Sequence, residues 1–83
     1  MTRFHFRICE NGEETTDGAA REFADSAEAC REAVETSMGL ARDALRGGDT
    51  PSAQHVVVEV YREGNPFLKV SMLLEIERKA GTA

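Results

Sequence analysis

Between Asp25 and Arg46 the side chains sort onto two halves of a cylinder, and this amphipathic helix limits the possible folds more than any other feature of the chain. At roughly 100° per residue, Ala29, Leu40, Ala33, Ala44, Ser37, Cys30, Ala41, Val34, Ala27, Leu45 and Met38 follow one another around one half. Glu28, Arg31, Glu32, Glu35, Thr36, Gly39, Arg42, Asp43 and Arg46 take the other. One half is therefore built to be buried. Small side chains line its middle, with Cys30 at the centre, as suits a helix lying close against a sheet. Asp25 is placed to cap the first turn, with Glu28 completing a capping-box-like pair. Arg42, Arg46 and Gly47 suit the C-terminal end, the glycine as a left-handed cap.

Strand signals flank the helix on both sides. Thr2 to Cys9 alternates Phe4, Phe6 and Ile8 with Arg3, His5 and Arg7, the pattern of a half-buried strand. Asn11-Gly12 follows, and its readiness for positive φ predicts a type I′ hairpin turn. The returning strand, Glu13 to about Phe23, is interrupted at Gly18-Ala19-Ala20, which predicts a bulge or an early exit into a loop. After a loop spanning Gly47 to Ala53, His55 to Arg62 places Val56, Val58 and Val60 on one face and Val57, Glu59 and Tyr61 on the other. Glu63-Gly64-Asn65-Pro66 reads as the next turn. The last strand alternates Leu68, Val70, Met72, Leu74 and Ile76 against Phe67, Lys69, Ser71, Leu73 and Glu75, and Arg78 to Ala83 reads as a frayed tail.

The order β-β-α-β-β predicts an α+β, two-layer fold: a four-stranded, mainly antiparallel sheet with one amphipathic helix on one face. A right-handed crossover fits the strand order 2-1-3-4 and also allows 2-1-4-3. The 83 residues make one domain, with a core of about 2–78 and near the lower size limit for folding alone, so self-association would add useful burial. Fifteen acids against ten bases give a net charge of −5, a balance that repels phosphate backbones. No apolar run approaches the ~20 residues of a membrane span. Neither does the amino terminus resemble a signal peptide, and the expectation is a cytoplasmic protein. The two cysteines, Cys9 and Cys30, fall on different elements and are expected to remain free thiols.

The residues that could carry chemistry form no recognisable constellation. His5 and Cys9 share a strand face but lie about 13 Å apart along it, too far to share one metal ion, and no zinc spacing occurs. None of Ser26, Ser37, Ser52 and Ser71 sits in a nucleophile motif. The helix carboxylates Glu28, Glu32 and Glu35, interleaved with Arg31, read as solvated surface pairs. The glycines make neither a phosphate loop nor a dinucleotide fingerprint. The chain is thus expected to be non-enzymatic, without metal or cofactor.

A lone helix leaves one sheet face uncovered, and there the sequence places Arg3, His5, Arg7, Val57, Glu59, Tyr61, Phe67, Lys69, Ser71 and Leu73. Mixed apolar and charged residues of this kind often mark an interface. Arg3, His5, Arg7, Val57, Tyr61, Phe67, Lys69 and Leu73 are the candidate interaction residues. A homodimer through this face or an edge strand is the expected use, and the alternative is contact with another protein as a partner-binding subunit of a larger assembly, such as one that completes the site of an enzyme. Base stacking on such a sheet is disfavoured by the acidic charge and by the lack of an RNA-recognition motif.

From end to end the chain resembles a family of short bacterial proteins of unknown function, abundant in rhizobia and related alphaproteobacteria. The likeness rests on Arg3-Phe4-His5-Phe6, Asp17, Glu22-Phe23-Ala24-Asp25, Ala29, Glu32-Ala33 and a final hairpin from Val56 to Ile76 around Gly64. Ala20 departs from it, since the family tends to have Gly there. The resemblance implies the β-β-α-β-β layout and brings no catalytic residues. Ala27 to Ala33 is also similar to the start of the helix in HicB-type antitoxins, which would imply binding to a small toxin ribonuclease. A short hairpin before the helix is shared with that family, whereas a clear equivalent of its opening strands and an appended DNA-binding segment are not read in this sequence.

Overall fold

A computed structural model describes residues 2–16, 20–46, 53–77 and 79. Three strands, a helix and two further strands follow in order: β1 (Thr2–Glu10), β2 (Glu13–Thr16), β3 (Arg21–Phe23), α1 (Ser26–Leu45), β4 (Ala53–Arg62) and β5 (Asn65–Glu75). Among the described residues every pairing is antiparallel and the sheet runs β2-β1-β4-β5, with β3 also on β1. This is 2-1-3-4, one of the two orders left open by the sequence, with the second strand present as two pieces along the same side of β1. β2 pairs with the Arg7–Glu10 end and β3 with the Thr2–Phe4 end. Gly18 and Ala19, the expected point of interruption, lie outside the described residues, as do Asp17, Gly47 and most of the loop and tail read from sequence.

Two-residue turns close both hairpins. Asn11 and Gly12 have φ of 52° and 87°, and Glu63 and Gly64 have 50° and 84°, the positive values that suit the right-handed twist of the flanking strands. Consequently the second turn ends at Gly64, and Asn65 and Pro66 already belong to β5. The register then jumps from Tyr61↔Pro66 to Val60↔Leu68. Phe67 is the extra residue of a β-bulge, which breaks the strict alternation of sides.

Phe4, Phe6, Ile8, Phe23, Val56, Val58 and Val60 form the core with Ala29 and Ala33 of the helix. Phe23 closes the β1 side, its ring 5.7 Å from Phe4 and 6.0 Å from Phe6. The helix is anchored at its start by Asp25, whose Oδ1 accepts the Glu28 amide at 2.9 Å; the Glu28 carboxylate accepts the Ala24 amide at 3.0 Å. At the other end Arg46 caps in the right-handed region, its amide bonded to the Asp43 carbonyl. The glycine cap expected at Gly47 lies outside the described residues.

The buried line of α1 is Ala29, Ala33, Ser37 and Ala41, one residue every fourth position. Such a row drifts around the helix as it runs, so it suits a helix crossing the sheet at an angle. That drift corrects the expectation for Cys30, which is exposed. The apolar half is wider than the contact it makes, and Cys30, Val34 and Met38, each next to a member of the buried line, face solvent. Ser37 is fully buried and satisfies its hydroxyl on the Ala33 carbonyl at 3.0 Å.

Candidate functional site

The uncovered sheet face forms as expected, and the pairing of β1, β4 and β5 sets its rows. Arg7 lies opposite Glu59 and Glu59 opposite Lys69; His5 lies opposite Tyr61, and Val57 opposite Ser71. Arg3 sits at the rim, 4.0 Å from Glu22, and Leu73, 59% exposed, lies opposite His55. His55 Nε2 is 3.0 Å from Ser71 Oγ. The order Arg3, His5, Arg7, Val57, Tyr61, Lys69 and Leu73 read from alternation is thus realised on one face.

Phe67 is the exception. Its ring stands 5.9 Å from that of Phe4, a buried residue of the helix-side core, and the Arg62 guanidinium covers it at 5.9 Å. The bulge turns Phe67 to the same side as Leu68, so it belongs to the helix layer and not to the open face.

The charged groups at the centre of the open face pair with one another. Arg7 donates to Glu14 at 2.7 Å and lies 3.9 Å from Glu59, while the Tyr61 hydroxyl donates to Glu59 at 3.2 Å. The bond that Arg7 donates to the Glu14 carboxylate, with Tyr61 adding to it, holds the guanidinium more firmly protonated than usual. Its Nε is buried with no acceptor among the described residues. A notch of about 230 Å³ beside the bulge, lined in part by Tyr61, Phe67 and Lys69, is below the usual size of a small-molecule site. Among the described residues there is no cluster of three or more His, Cys, Asp or Glu side chains able to hold a metal.

A second apolar surface lies along β5. The helix covers β4 and β5, yet Leu68, Val70, Met72, Leu74 and Ile76 are only half-buried on the helix side. Above them runs the flank of α1 carrying Val34, Met38 and Leu45, of which Met38 is 56% exposed. The side of the helix is fixed by Glu32, on the opposite flank, which pairs with Arg21 of β3 at the far side of β1. Helix flank and strand edge are thereby placed on the same, β5 side of the fold. In the sequence a row of alanines and a serine marks the contact line with larger apolar side chains beside it, but only the tertiary placement sets those side chains on the β5 side.

A two-layer open sandwich of one helix on an antiparallel sheet is the class this arrangement defines. The chain belongs to the family described as a domain of unknown function (DUF6894), whose model matches residues 3–73. No curated protein and no solved structure matches it. No helix among the described residues is long and apolar enough to cross a membrane.

Proposed function

We propose that this domain is a small non-enzymatic interaction module that self-associates along the β5 edge. The observation that carries the reading is the coincidence of an unguarded strand edge with an exposed apolar helix flank. Edge strands are normally blunted by proline, lysine, bulges or short length. In β5 those devices, Pro66, the bulge at Phe67 and Lys69, are confined to the first half. Val70 to Glu75 carries none of them. On the other side of the sheet, β2 and β3 have only 4 and 3 residues. The open face is the weaker candidate, because Arg7, Glu14, Glu59 and Tyr61 already pair with one another within the chain.

Size-exclusion chromatography with light scattering tests the reading. The expected mass is that of a dimer, falling toward monomer in Met38→Glu, which charges the helix flank, and in Leu73→Pro, which blocks the edge. A strict monomer at hundreds of micromolar would remove the proposal.

A further inference from the structure

Resting on that reading, we infer that a second copy of this chain is the occupant and that the two β5 strands pair antiparallel about a two-fold axis at Met72. The first support is the direction of the main-chain groups. The Asn11 amide donates to the His55 carbonyl at 2.8 Å, and the His55 amide donates to Asn11 Oδ1 at 2.9 Å. Odd-numbered residues of β4 thus direct their peptide groups toward β1, and even-numbered ones toward β5. By the register Val56↔Met72 and Val58↔Val70, the even residues of this part of β5 answer them. The N–H and C=O groups of Lys69, Ser71, Leu73 and Glu75 are left pointing outward.

The second support is charge. An antiparallel pair of identical strands in one continuous sheet has its two-fold axis perpendicular to the sheet, so the residue on the axis decides every other pairing. With Met72 on the axis, Lys69 meets the partner's Glu75 and Glu75 meets the partner's Lys69, two opposite-charge pairs on the open face. Ser71 and Leu73 then exchange hydrogen bonds with the partner's Leu73 and Ser71. On the helix side Met72 meets its own copy and Val70 meets the partner's Leu74, extending the apolar row of β5 across the two copies. Moving the axis to Ser71 sets Lys69 against leucine and Glu75 against phenylalanine. Moving it to Leu73 sets Glu75 against serine and carries Lys69 past the end of the strand to Glu77, whose carboxylate is 2.9 Å from Lys79. Met72 is the axis at which charge, apolar row and hydrogen-bonding groups agree.

Disulfide trapping in a Cys9→Ala, Cys30→Ala background tests the register. A non-hydrogen-bonded pair on the axis has Cα atoms about 4.5 Å apart, within disulfide reach. Met72→Cys is therefore expected to cross-link to itself on mild oxidation, whereas Ser71→Cys and Leu73→Cys, each lying two residues along the strand from its own copy, are not. In parallel, Lys69→Glu should weaken the dimer by about tenfold, and adding Glu75→Lys should restore it. A dimer that cross-links through Ser71→Cys or Leu73→Cys and not through Met72→Cys overturns the register and leaves self-association standing. A monomer in every variant, with the unmodified chain also monomeric, overturns both.

Discussion

Asn11 binds His55 twice, accepting its amide on Oδ1 at 2.9 Å and donating its own amide to the His55 carbonyl at 2.8 Å. One turn residue thereby continues the β1–β4 ladder past the end of β1. Its Nδ2 also donates to Gln54 Oε1 at 2.9 Å, and Gln54, nearly buried, reaches Glu10. Asn11→Gly keeps the positive φ but loses the side-chain bonds, and should cost about 1–2 kcal/mol in urea unfolding. Asn11→Ala should cost more, since alanine adds the strain of a left-handed backbone.

Glu63 holds the equivalent place in the other turn without that justification. Its φ of 50° is unfavourable for a glutamate, and the side chain is exposed. Glu63→Gly or Glu63→Asn should raise stability by about 0.5–1 kcal/mol, seen as a higher unfolding midpoint with an unchanged denaturant slope.

Ser37 sets how close the helix can come to the sheet. Fully buried, with its hydroxyl already bonded to Ala33, it should tolerate alanine within about 0.5 kcal/mol. Ser37→Leu should destabilise by about 1–3 kcal/mol through overpacking. Equal effects from the two substitutions would contradict this packing.

Phe67 closes the core at the bulged end of β5 by packing on Phe4. Phe67→Ala should cost about 1–3 kcal/mol. Lys69→Ala, two residues on and exposed, should cost almost nothing in a measurement made on the monomer.

Cys30 is exposed and Cys9 half-buried. A thiol reagent should label Cys30 rapidly in the native state and Cys9 more slowly; simultaneous labelling would contradict the helix orientation.

The features that were readable from sequence are those fixed by local chemistry. Asn11-Gly12 announces its turn, Asp25 and Glu28 announce the helix start, and the alternation of Phe4, Phe6 and Ile8 gives the buried side of β1. Phe67 escaped because parity counted back from Ile76 cannot detect an inserted residue. The second turn also hid its length, since Asn65-Pro66 is a stronger turn signal than a glutamate at positive φ. Cys30 was misplaced for a geometric reason: a helical wheel reports which arc is apolar, whereas the crossing angle on the sheet decides which line within that arc touches. The position of Val34 and Met38 on the β5 side depends on tertiary placement, and periodicity alone does not reveal it.

β2 and β3, of 4 and 3 residues, leave the margin opposite β5 in two short pieces. A sheet grows by templating on a long border, and among the described residues β5, of 11 residues, is the longer of the two margins. Under the proposed β5 pairing, both outer sides of the pair would be fragments too short to recruit a third subunit, so a closed pair and not a fibre is the expected assembly.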